Sequence, residues 1–142
     1  MKINKNDKIG IFGKSGSGKS TFVDIVFGLI SPNIGSIYID DKELDLKNDI
    51  FNYKLGYVSQ NSYLLDDTVQ KNIAFGENIE EIDQDLVLKS LQTAQMNDWL
   101  NGTKNGLKTI IGENGKMISG GERQRIGIAR TLYFNTEFIV LD

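Results

Sequence analysis

The chain has 142 residues, 39% of them apolar, and a formal net charge of −3, which suits one domain with a core and excludes a tail or linker. Its acidic residues are scattered and no basic stripe occurs, so nucleic acid is not an expected partner. Cysteine and histidine are both absent, which excludes disulfides and thiolate sites and removes the commonest metal ligand and general base; any metal must be hard and oxygen-bound.

The opening "MKINKNDK" has no apolar signal core, and no apolar run approaches the roughly 20 residues that span a bilayer, so this piece is expected to be soluble by itself. Residues 8–12 read as a short buried strand, followed at once by a Gly/Ser-rich turn. Phe22, Ile25, Val26, Leu29 and Ile30 recur at helical spacing, and Pro32 blocks continuation. Ile37 and Ile39, then Leu44 and Leu46, alternate with polar neighbours about Asp40 and Asp41. That predicts a half-exposed antiparallel ribbon in which the aspartate pair serves the turn rather than a metal. "KLGYVSQ" reads as a second buried strand ending in Gln60. Val87, Leu91 and Ala94 mark a helix within residues 83–96, with Glu80, Glu81, Asp83 and Asp85 as its solvated N-terminal side. Residues 119–134 predict another helix with Ile126, Ala129 and Tyr133 on one face. The closing run Phe138, Ile139, Val140 and Leu141 has no polar alternation and reads as a strand buried on both faces of a parallel sheet. Asp142 then stands at its carboxyl end, where open α/β sheets place ligands and catalytic groups. There are no repeats or low-complexity tracts.

Three stretches carry chemistry. "GKSGSGKS", residues 13–20, fits G-x-x-x-x-G-K-[ST] between a predicted strand and a predicted amphipathic helix. A polyphosphate needs backbone N–H groups close at hand: Gly13, Gly16 and Gly18 permit the tight path, and the helix start adds partial positive charge. Lys19 supplies a full charge for the β- and γ-phosphates, Ser20 a hydroxyl for Mg²⁺, and Thr21 a contact on the α-phosphate side. Beside such a loop, Asp142 can hold Mg²⁺ through water. "ISGGERQR", residues 118–125, contains a capping box of Ser119 and Glu122, and its two glycines before a helix also make an anion site.

These stretches and the strand ending in Gln60 stand in the order seen in ATP-binding cassette (ABC) nucleotide-binding domains, which the chain resembles from about residue 7 to residue 142. The resemblance implies an α/β fold: a P-loop NTPase core with a partly parallel sheet, a small antiparallel β part and a helical subdomain, roughly residues 63–130, carrying the signature motif. It implies that residues 1–142 are a partial domain of exporter type, truncated at both ends. Gly13, Lys14, Ser15, Gly16, Ser17, Gly18, Lys19, Ser20 and Thr21 match the Walker A loop that binds ATP. Gln60 matches the Q-loop glutamine that touches Mg²⁺ and senses the transmembrane partner, and Asp142 the Walker B aspartate, giving Ser20, Gln60 and Asp142 as the metal set. Ser119, Gly120 and Gly121 match the signature that contacts ATP held by the second subunit of a head-to-tail dimer, with Glu122 in place of the usual glutamine.

"TVQKNIAFG", residues 68–76, and "TIIGENG", residues 109–115, look like segments near the coupling helices of exporters, or serve as ordinary loop and helix starts. Tyr63, Leu64 and Leu65 would line a groove for a coupling helix or pack in the core. The catalytic glutamate and switch histidine of the family are absent from the chain, so it is expected to bind ATP and barely hydrolyse it, with Gln60 its nearest catalytic group. The expected place is the cytoplasmic face of a membrane, as the ATPase of an exporter or flippase. Two alternatives are a soluble non-transport ABC ATPase and a non-hydrolytic nucleotide-binding switch module.

Overall fold

The first helix, α1 (Lys19–Val26), stops at a glycine rather than at Pro32. Gly28 takes φ 69°, its N–H donates to the Ile25 carbonyl, and the Leu29 N–H donates back to Asp24 at 2.8 Å. This left-handed terminus satisfies the last carbonyls, and glycine adopts it without a Cβ clash. Leu29 and Ile30, expected on the helix face, therefore lie beyond the helix and are exposed.

The computed structural model describes residues 1–45, 54–59, 61–112 and 118–142. It divides into two units, Met1–Tyr53 and Lys54–Asp142.

In the first unit β1 (Tyr38–Ile39) and β2 (Lys42–Glu43) pair antiparallel, with Ile39 opposite Lys42. Asp40 and Asp41 have φ 50° and 64°, so both aspartates take the left-handed conformations that a two-residue hairpin turn requires, and the turn role expected of them holds. Ile37 and Ile39 are half-buried and Leu44 is buried, as the alternation predicts; Leu46 lies outside the described residues. The strand expected over residues 8–12 is not formed. That segment has no ladder and is exposed, Phe12 at 94%. A strand exists only as one of a pair, and among the described residues no backbone pairs with this one.

In the second unit β3 (Leu55–Val58) and β4 (Phe138–Leu141) form a parallel ladder, Leu55 level with Phe138 and Val58 with Leu141. The unbroken apolar run of β4 predicts burial on both faces. Instead Ile139 and Leu141 are exposed, and Tyr57 of β3 is exposed as well. The reason is coverage. The long helix α5 (Gly120–Tyr133) lies over β3, where Gly127 approaches so closely that a methyl there would sit 2.5 Å from Ser62 Oγ and 3.0 Å from Val58 Cγ1.

The core of this unit gathers around α5, whose Ile126, Ala129 and Tyr133 are buried as their spacing predicts. They meet Val69 and Ile73 of α2 (Val69–Ile73) and Val87 and Leu91 of α3 (Gln84–Thr93). Full burial of each larger apolar side chain contributes about 1.5–3 kcal/mol. Asp83 caps α3 by accepting from the Leu86 N–H at 3.0 Å, and Glu80, Glu81 and Asp85 are solvated as expected. α3 lies within the expected residues 83–96 and stops at Thr93, because Gln95 turns left-handed at φ 59° and the Met96 N–H closes onto the Leu91 carbonyl. α4 (Asn97–Asn101) and a 3-10 turn (Gly106–Lys108) follow.

Thr68 pairs with Ile110, the Val69 N–H donating to Thr109 and the Ile111 N–H to Asp67. The two segments singled out as neighbours of coupling helices are thus stitched together by their backbones. Of the Tyr63, Leu64 and Leu65 group, Leu64 joins the core at 1% exposure while Tyr63 is exposed. Among the described residues no helix is long and apolar enough to cross a membrane.

Candidate functional site

The first unit presents a glycine loop running into α1. Gly16 and Gly18 take φ 76° and 87°, and an added Cβ at either would meet nothing within 4 Å. Backbone conformation, not space, demands glycine at these two positions. Gly18 is also the N-cap of α1 and brings no capping side chain. The first N–H groups of a helix have no intrahelical acceptor, so those of Lys19, Ser20 and Thr21 are left for an external one.

Lys19 Nζ folds back over the loop and donates to the carbonyls of Gly13 and Lys14, both at 2.9 Å. The Ser17 N–H closes the loop on Lys14 at 3.2 Å. Ser15, Gly16, Gly18, Lys19, Ser20 and Thr21 line a depression of about 270 Å³. That is below the usual 300–1,000 Å³ of a small-molecule site, a size for a phosphate chain rather than a whole nucleoside. Its lining holds N–H groups, hydroxyls and one ammonium, the donor set an anion wants.

The second unit carries two further groups. Asp142 continues the parallel ladder, its N–H donating to the Val58 carbonyl at 3.0 Å. Its Oδ2 accepts from the Tyr57 hydroxyl at 2.9 Å, and Gln124 Nε2 reaches its carbonyl at 3.4 Å. At the start of α5 the Ser119 N–H and hydroxyl both donate to Glu122 Oε2, at 2.7 and 2.8 Å, while the Glu122 N–H donates to Ser119 Oγ at 3.3 Å. The capping box read from the sequence is formed. Gly120 and Gly121 are exposed, and an added Cβ at either meets nothing within 4 Å, so the backbone there is open to a partner.

A family profile described as ABC transporter matches residues 1–142. The chain belongs to the ABC transporter family. Within that family it is 39% identical over 135 residues to an ATP-dependent lipid A-core flippase of Yersinia pestis bv. Antiqua, covering 94% of this chain and 23% of the relative. It is 39% identical over 143 residues to the flippase of the same name from Francisella novicida, covering 99% of this chain and 24% of the relative. Among solved structures, that of a bacterial Atm1-family ABC exporter with ATP bound aligns over 91% of this chain and 23% of its own, with a TM-score of 0.76 and 34% identity. The chain therefore spans about a quarter of the length of these relatives. The P-loop α/β fold expected from the sequence is the fold of this family.

Of the site residues expected from the ABC resemblance, residues 13–21 run as one continuous loop into α1 in the first unit, and Ser15, Gly16, Gly18, Lys19, Ser20 and Thr21 line the depression. Asp142 and Ser119, Gly120, Gly121 and Glu122 lie in the second. Gln60 lies outside the described residues, as do residues 113–115 of the "TIIGENG" segment. Tyr57 was missed: nothing in "LGYV" signals a partner 85 residues away.

Proposed function

We propose that the chain is the nucleotide-binding part of an exporter- or flippase-type ABC transporter, which in the whole protein couples ATP binding and hydrolysis to substrate movement across a membrane. The observation carrying this reading is the loop into α1, with Gly16 and Gly18 left-handed and the Lys19 ammonium folded onto the loop carbonyls. Incoming phosphate oxygens replace those carbonyls as acceptors for Lys19, and the N–H groups of residues 19–21 complete the cradle. The names of the relatives, flippase and exporter, support the transport class.

Roles follow residue by residue. Gly13, Lys14, Ser15, Gly16, Ser17, Gly18, Lys19, Ser20 and Thr21 hold the phosphates. Ser20, Gln60 and Asp142 are the oxygen donors toward Mg²⁺. Among the described residues no three acidic, cysteine or histidine side chains gather around one point. That suits Mg²⁺, which keeps its waters and takes one or two protein carboxylates together with substrate phosphates. Ser119, Gly120, Gly121 and Glu122, in a helical subdomain of roughly residues 63–130, face the nucleotide of a second copy of the domain. A transmembrane domain is the other partner, and the chain works at the cytoplasmic face.

The depression is sized for a phosphate chain and its lining is polar, so binding rests on the phosphates, with weak discrimination of the base. Calorimetric titration should give similar affinities for MgATP, MgGTP and magnesium tripolyphosphate, which has no base. An ATP preference of 100-fold or more, about 2.7 kcal/mol, would mean that other residues read the adenine and that recognition is not confined to the phosphates. Turnover by these 142 residues alone should stay near background. They contain no histidine, and Gln60 is an amide that cannot take up a proton from water. A phosphate-release assay with Lys19→Ala as the control for contaminating ATPase checks this, and robust release lost in that variant would contradict it.

A further inference from the structure

We infer that Tyr57 is a positioning residue for Asp142, holding one carboxylate oxygen so that the other is turned to a divalent cation or its water shell. This rests on the proposed reading of Asp142 as a cation-holding group. The parallel register sets Tyr57 level with Val140, and Asp142, two residues further along, falls on the same face. There the Tyr57 hydroxyl donates to Oδ2 at 2.9 Å. The Asp142 backbone is fixed independently by the Val58 carbonyl at 3.0 Å and by Gln124 at 3.4 Å. What these leave undetermined is the rotation of the carboxylate, a broad two-fold torsion with two equivalent oxygens. The phenol removes that equivalence: Oδ2 takes its hydrogen bond, which leaves the lone pairs of Oδ1 for a cation or its water. Tyr57 is 50% exposed, so its hydroxyl is not required by the core.

Partners that orient a metal-ligating group typically contribute 10- to 100-fold in metal affinity. The half-exposed position of Tyr57 puts it at the low end, roughly 10-fold. The test uses Mn²⁺ as the probe, with free Mn²⁺ followed by electron paramagnetic resonance in the presence of saturating ADP. Four forms of the chain are compared: the parent, Tyr57→Phe, Asp142→Asn and the double variant. Tyr57→Phe should weaken Mn²⁺ binding roughly 10-fold, leave ADP binding in EDTA unchanged, and add nothing in the Asp142→Asn background. Full Mn²⁺ affinity in Asp142→Asn would overturn the reading of Asp142 itself. Loss in Asp142→Asn with none in Tyr57→Phe would overturn the role of Tyr57 alone. An equal loss of metal-free ADP binding in Tyr57→Phe would make the tyrosine a structural residue and overturn the inference as well.

Discussion

Arg130 Nε donates to the backbone carbonyl of Asn72 at 2.9 Å, joining the last turn of α5 to α2 beside the core. The same guanidinium donates through Nη2 to the Tyr63 carbonyl at 3.1 Å and lies 4.8 Å over the Phe75 ring. Burial pulls the Arg130 pKa below its ordinary value, yet the side chain keeps its charge at any physiological pH. Asn72 is itself fully buried, and its carboxamide accepts from the Leu65 N–H at 2.8 Å and donates to the carbonyls of Leu65, Asp67 and Thr68. One amide thus pins residues 65–68, just ahead of α2.

Asn72→Ala should destabilise the chain by about 3 kcal/mol, because several backbone groups of that segment lose their partner at once. Arg130→Lys should cost about 1–2 kcal/mol, since an ammonium cannot fork between two carbonyls and stack on a ring. Urea unfolding measures both, and a change under 0.5 kcal/mol for Asn72→Ala would show that water replaces the network.

Gln95→Gly should stabilise the chain by about 0.5–1 kcal/mol. Gln95 ends α3 in the left-handed region, where a Cβ costs about 1 kcal/mol and glycine costs nothing. The Gln95 carbonyl contact with Arg125 uses the backbone and survives the change. A loss of thermal stability in this variant would mean that the side chain, not the backbone, holds the turn.

Tyr133 makes stability sensitive to alkali. Its hydroxyl donates to Glu77 and accepts from the Asp83 N–H at 3.3 Å. Burial first, and then the Glu77 carboxylate, raise its pKa above the ordinary 10.0. The folded state therefore favours the neutral phenol. Its contribution is complete below about pH 10 and is lost as pH rises from there toward the raised folded value. Tyr133→Phe should be less stable at neutral pH by about 1 kcal/mol and lose less stability than the parent above about pH 10. Parallel alkaline slopes for the two would place the titrating group elsewhere.

The parts legible in the sequence are those whose cause is local. The α5 face of Ile126, Ala129 and Tyr133, the Ser119 and Glu122 box and the Asp40 and Asp41 turn each depend on residues within a few positions, and each is found as read. The P-loop is legible for the same reason, since its glycines and Lys19 act on neighbouring backbone. What depends on distant partners is not. Apolar runs at residues 8–12 and in β4 promise burial on two faces, but burial is decided by which elements cover them. The end of α1 differs from the pattern at Gly28, where a left-handed residue stops the helix before the hydrophobic spacing does. Arg130 left a signal that could have been followed: a cation four residues after Ile126 falls on the buried face and needs acceptors there.

The account turns on Lys19 and the loop around it, and calorimetric titration of MgATP into the chain and into Lys19→Ala tests it most directly. Removing the ammonium should cost about 1–3 kcal/mol of binding, a loss of roughly 5- to 150-fold in affinity, with thermal stability little changed because the Lys19 ammonium donates to carbonyls of its own loop, which water can satisfy in its place. Equal affinities for the two proteins would contradict the central claim, for the nucleotide would then be held somewhere other than the loop of residues 13–21.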